Sequence, residues 1–123
     1  MRLKFLFLSG TAATVLCMAF SGCSGSGSSA AVTLPENAVL IDVRSAEEFN
    51  SGHIAGAVNI PHTMIAEKIS SVAKDKSTPL YIYCRSGRRV GIAMEILKNS
   101  GYSTMFNLGG MEEAEKKLQA MEK

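Results

Sequence analysis

LYIYCRSGRRVGIAMEILKNSG, residues 80–101, joins two different patterns through a charged turn. Leu80, Tyr81, Ile82 and Tyr83 form a short apolar, aromatic-rich run of the kind that suits a strand buried on both faces in a parallel sheet. A helix is predicted to follow. Val90, Ile92, Ala93, Ile96 and Leu97 recur at helical spacing, Lys98 falls in the last turn, and Gly101 can supply a left-handed cap. The residues between strand and helix therefore feed a helix N-terminus, where unpaired backbone N–H groups and the helix dipole favour negative charge. Cys84 opens this turn. Arg85, Arg88 and Arg89 add positive charge, and Gly87 lets the backbone close tightly around whatever sits inside. A buried structural thiol is the commoner fate of a cysteine at a strand end, but it would gain nothing from three arginines and a glycine in the next five residues. The pattern points to a reactive sulfur stabilised as its thiolate.

Working outward, strands and helices alternate. Val39 to Val43 reads as a buried strand, and Ser45 with Glu48 has the S-x-x-E spacing of a capping box that opens a short helix. Ala57 to Ile60 is a short strand ended by Pro61, and Met64 to Ala73 carries Ile65, Ile69, Val72 and Ala73 on one helical face. After the helix that follows Cys84 come a strand-like run from Thr104 to Leu108 and an amphipathic helix from Met111 to Met121, with Leu118 on its apolar side. This alternation predicts an α/β fold of three layers, a mostly parallel sheet with helices on both faces and right-handed crossovers. Ligands in such sheets bind at the carboxyl ends of the strands. Cys84 lies at one such end, and Asp42 and Arg44 lie at another.

The N-terminal residues read as a targeting segment. Arg2 and Lys4 make a basic start, Phe5 to Phe20 is mostly apolar, and Ser21, Gly22 and Cys23 are small. Ser9, Gly10 and Thr11 interrupt the apolar run, which falls short of the roughly 20 residues of a spanning helix. Residues 1–22 are therefore expected to be a signal, and F-S-G-C resembles a bacterial lipobox in which Cys23 is acylated and becomes the new N-terminus. Phe20 stands where leucine is usual, which leaves ordinary cleavage with a soluble product as the competing reading. Several acyl chains on Cys23 would make a stable membrane anchor. Residues 23–31, rich in Gly and Ser, would then be a flexible tether, and 32–123 one folded domain, since about 90 residues suffice for one core and not two. Of the three cysteines, Cys17 leaves with the signal and Cys23 is acylated, so Cys84 has no partner for an internal disulfide.

Charge narrows the range of partners. Of the 13 basic and 11 acidic residues, the signal removes Arg2 and Lys4 and leaves 11 against 11. No basic footprint for nucleic acid remains, and the cluster at Arg85, Arg88 and Arg89 matches a small anion better than a polymer backbone. No C-x-x-C and no paired histidines point to a metal. No cofactor is expected.

Three blocks carry a family resemblance: D-V-R-S-A-E-E-F-N-S-G-H-I-A-G-A-V-N-I-P from Asp42, Y-C-R-S-G-R-R around Cys84, and N-L-G-G-M ending at Met111. Together they resemble the rhodanese domain, over nearly all of the chain beyond the tether, and look most like its small, exported, single-domain members. The resemblance implies a sulfurtransferase that passes sulfane sulfur through a cysteine persulfide. It makes Cys84 the nucleophile and Arg85, Ser86, Gly87, Arg88 and Arg89 the loop whose backbone amides surround the sulfur and its substrate, with Arg89 closing the loop. Asp42 and Arg44 match a D-x-R signature near the site, where an ion-paired structural role and substrate contact are both open. Thiosulfate or a related sulfur anion is the implied donor, and a thiol or cyanide the acceptor. His53 is tempting as a base, but in the family its block shapes a turn, and His62 reads as a residue that starts the next helix. Met111 replaces a frequent tryptophan at the mouth of the site. A loop of the phosphatase or arsenate-reductase type, C-x-x-x-x-x-R, would need its arginine at the position of Val90, and a non-catalytic sulfur-carrier or partner-binding module is the alternative from another class.

Overall fold

The computed structural model describes residues 34–122; the targeting segment, Cys23 and the tether lie outside the described residues. Within them, β1 (Val39–Asp42), β2 (Val58–Asn59), β3 (Leu80–Cys84) and β4 (Met105–Gly110) alternate with α1 (Ala46–Ser51), α2 (Ile65–Val72), α3 (Arg88–Asn99) and α4 (Met111–Met121). A 3₁₀ turn at His62–Met64 leads into α2. The sheet order is β2-β1-β3-β4, with every pairing parallel. This is the predicted α/β architecture.

β3 explains why both faces of the sheet must be covered, because all five of its residues are buried. Successive side chains of a strand point to opposite faces. Leu80, Ile82 and Cys84 join Ile41 and Val43 against Ile65 and Ile69 of α2 and Val90, Ala93 and Leu97 of α3. Tyr81 and Tyr83 join Leu40 and Leu108 on the opposite face, against Ala114 and Leu118 of α4. α2, α3 and α4 each supply an apolar stripe, although Ile92, expected on that of α3, is exposed. The period of two also decides where the thiol points: Cys84 falls on the α2 and α3 side.

Element ends differ from the sequence reading by one or two residues, each for a local reason. α3 begins at Arg88 rather than Val90 because Gly87, at φ 89°, turns the chain directly into the helix. Its C-terminus follows the expected cap: the Gly101 N–H donates to Lys98 O at 3.0 Å and the Tyr102 N–H to Leu97 O at 3.1 Å. That pair of bonds is the Schellman arrangement. β4 runs two residues beyond Leu108 because a bulge there keeps it in register, with Ile82 opposite Asn107 and Tyr83 opposite Gly109. The Asn107 side-chain oxygen accepts the Gly109 N–H at 2.8 Å and holds the bulge.

Gly91 is the residue in α3 that its helix does not need. It is exposed, and a Cβ added there would meet nothing within 4 Å. Glycine inside a helix is less stable than alanine by about 0.5–1 kcal/mol, so Gly91→Ala should raise stability by about that amount. Urea unfolding should show a higher midpoint with an unchanged slope.

Candidate active site at the carboxyl ends of the central strands

Parallel pairing of β1 with β3 sets Asp42 opposite Tyr83, so the residues that follow each strand emerge side by side. Asp42-Val43-Arg44 and the cysteine turn are thereby brought together from positions about forty residues apart. The ladder continues past the strand end, with the Val43 N–H donating to Tyr83 O at 3.1 Å.

Cys84 is fully buried. The chain folds back over it so that the Gly87 N–H donates to its Sγ at 2.9 Å. Gly87 is required here by its positive φ, which side-chain-bearing residues rarely adopt, and it packs against the Gly109 backbone, where a Cβ would sit in ordinary contact at 3.4 Å. Gly110 seals the other side, where an added Cβ would lie 2.6 Å from the Arg85 carbonyl oxygen. The cysteine turn is thus clamped against the end of β4. Sequence reasoning matched Gly109 and Gly110 to a family block without assigning them to the site; two successive glycines closing a strand were the available signal.

Asp42 and Arg44 form a closed unit. Arg44 Nε donates to both Asp42 carboxylate oxygens at 3.0 Å, its Nη2 to Oδ2 at 2.6 Å, and its backbone N–H to Oδ1 at 2.9 Å. Nη2 also reaches Gly52 O at 2.7 Å, and the Asn59 amide donates to the carbonyls of Asp42 and Arg44. Hydrogen bonding to Asp42 raises the Arg44 pKa above its usual value, despite the opposing effect of burial. With Asp42 wholly buried and Arg44 nearly so, this pair braces the strand end and the turn after α1. The guanidinium also lies 5.9 Å from the centroid of the Tyr83 ring, whose hydroxyl accepts the Ile54 N–H at 3.0 Å. Burial pushes the Tyr83 phenol well above its ordinary pKa.

The loop arginines divide into two kinds. Arg89 sends Nη1 to Glu48 Oε2 at 2.7 Å and Nη2 to Oε1 at 2.9 Å. Arg85 and Arg88 are exposed and, among the described residues, have no ion-pair partner. Ser86 is exposed between them. Arg85 and Met111 line an open cleft of ≈ 370 Å³ together with Arg44, Glu48, Ser51 and Gly52. The capping box at α1 is present as predicted, but Glu48 does more than cap: hydrogen bonding to Arg89, together with the Ser45 N–H and hydroxyl, lowers its pKa to about 2. His53 lies outside this cleft, stacked on Phe49 at 3.7 Å with Nδ1 2.9 Å from Phe49 O.

The clamp makes a direct prediction. Gly110→Ala forces backbone apart at the Arg85 carbonyl, and overpacking of this kind destabilises by about 1–3 kcal/mol. A lower unfolding midpoint, together with altered amide signals from Arg85 to Gly87, is the expected result; an unchanged spectrum in that loop would contradict the clamp.

Comparison with known proteins agrees with this geometry. A family described as the rhodanese-like domain matches residues 29–117. Over 73 residues the chain is 40% identical to the thiosulfate sulfurtransferase PspE of Escherichia coli (strain K12), covering 59% of this chain and 70% of that protein. A sulfurtransferase of Allochromatium vinosum is 36% identical over 75 residues, covering 61% of this chain and 68% of that one. Among solved structures, an E. coli rhodanese with anions superimposes with a TM-score of 0.59 at 39% identity, covering 61% of this chain and 88% of the other. With most of the described residues inside the family match, and its three sequence blocks meeting around one buried thiol, the chain belongs to the rhodanese-like family.

Proposed function

We propose that the protein moves sulfane sulfur from thiosulfate or a related anion to a thiol or cyanide through a persulfide on Cys84. The observation that carries this reading is the Cys84 sulfur held under the Gly87 N–H, with the uncompensated charge of Arg85 on the adjoining cleft. In the first step the Cys84 thiolate attacks the outer sulfur of the donor. A Cys84 S–S bond forms, the bond between the donor's two sulfurs breaks, and its electron pair leaves with sulfite. In the second step the acceptor, as thiolate or cyanide, attacks the outer sulfur of the persulfide. The new bond forms at the acceptor, and the Cys84 thiolate is regenerated with the electron pair of the cleaved S–S bond. Dividing the transfer in this way replaces one difficult step with two easier ones.

Burial of Cys84 favours a donor that presents a small terminal atom, as thiosulfate does. The backbone N–H and nearby cationic charge stabilise anionic sulfur before and after transfer, in a place from which most water is excluded. A phosphatase loop fits less well, because the position its arginine would need is held by Val90, which is fully buried in the core. Reading residues 1–22 as a signal and Cys23 as acylated adds the proposal that this chemistry takes place outside the cytoplasm, on a domain tethered at a membrane.

Two substitutions test the mechanism. Cys84→Ser should abolish thiosulfate:cyanide transfer with the unfolding midpoint retained, and intact mass should show one added sulfur on the wild type after thiosulfate and none on the variant. Turnover that survives in the variant would remove Cys84 from the reaction. Arg85→Ala should chiefly slow loading from thiosulfate, by about ten- to a hundred-fold if one charge-assisted contact of about 1.5–3 kcal/mol is lost. Unloading to a thiol, whose attacking thiolate carries one negative charge where thiosulfate carries two, should be slowed less, as followed by stopped-flow on the separate half-reactions.

A further inference from the structure

Glu48 meets two demands that require different chemistry. As the third residue of α1 it accepts from the Ser45 N–H and the Ser45 Oγ at 3.1 Å, while its own N–H donates to Ser45 Oγ at 3.3 Å. That role needs an acceptor oxygen but no charge, and glutamine serves it as well as glutamate. The second demand does need charge. Both carboxylate oxygens face the outer nitrogens of Arg89 in a two-bond fork, which spans 41 positions of sequence.

What the fork connects gives it significance. Arg89 is the second residue of α3 and stands two positions after Gly87, whose N–H rests on the Cys84 sulfur. α1 contributes no buried residue of its own, so its attachment to this side of the domain leans on polar contacts. The fork also neutralises Arg89, which leaves the free positive charge with Arg85 and Arg88.

We propose that Glu48 is a positioning residue of the sulfur-transfer site, whose fork to Arg89 holds the first turn of α3, and with it the Gly87 N–H, against Cys84. The kinetic consequence rests on the sulfur-transfer reading; the structural one does not. Glu48→Gln separates the two demands, since it keeps the cap and removes the ion pair. In the unliganded protein, hydrogen exchange at the Gly87 amide should accelerate about five-fold, while the amides of Ile69 and Leu118 keep their wild-type rates. Ser45→Ala makes the opposite change, losing the hydroxyl cap and keeping the fork, and should leave Gly87 exchange unaltered.

In the half-reaction with thiosulfate, Glu48→Gln should lower the maximal loading rate by a similar factor without raising the concentration for half-saturation. In the background of Arg89→Gln it should have no further effect, because the partner is already gone. Wild-type exchange at Gly87 in Glu48→Gln, equal acceleration in Ser45→Ala, or additive effects of the Glu48 and Arg89 changes would each overturn the proposal. If the wild type takes up no sulfur, the transfer reading fails, and the exchange rates at Gly87 still decide whether Glu48 holds the loop.

Discussion

The parallel pairing of β1 and β3, with Asp42 opposite Tyr83, is the constraint on which the site depends. Two adjacent strands that run in the same direction must end on the same edge of the sheet. Whatever follows β1 therefore meets whatever follows β3. Because β3 is buried on both faces, its side chains can take only one phase: the tyrosines face α4, and Leu80, Ile82 and Cys84 face α2 and α3. A slip of one residue would put the thiol on the wrong face. The position of the sulfur is thus set by the same packing that stabilises the core.

Around that sulfur, polar groups are arranged so that few charges remain uncommitted. The Asp42–Arg44 pair is buried and saturated with hydrogen bonds, and opening such a pair by removing one partner destabilises by about 3–5 kcal/mol. Arg89 is committed to Glu48 at the half-buried rim. Arg85, exposed on the cleft, remains able to meet an incoming anion. Of the cationic residues in the signature blocks, two therefore brace the site, while the loop leaves Arg85 and Arg88 available.

Glycines give the loop its shape. Gly87 turns the chain into α3, Gly109 takes a positive φ of 82° at the bulge of β4, and Gly110 lets the end of β4 approach the Arg85 carbonyl within a distance that any side chain would prevent. The short cradle that results holds an N–H over a sulfur atom. Val90, buried in the core, ties the first turn of α3 to the sheet.

The order of strands and helices was legible in the sequence because apolar spacing is a local property: the run at Leu80–Tyr83, the helical stripe from Val90 to Leu97 and the capping box at Ser45 each require only their neighbours. So was the candidate nucleophile, since a thiol between a buried strand and a basic, glycine-containing helix start carries its own signal. Whether Arg44 and Arg89 would face a ligand or a carboxylate could not be read in the same way. Each is a cation near the site in sequence, and only the fold shows that Asp42 closes on Arg44 and that Glu48, 41 positions before Arg89, reaches its guanidinium. The place of Gly110 was hidden for the same reason: its close approach to the Arg85 carbonyl exists only after the sheet has assembled. Local sequence determined which elements form and which residue is the candidate nucleophile; tertiary structure decided which charges are spent on one another, because ion pairing depends on distances that only the packed chain defines.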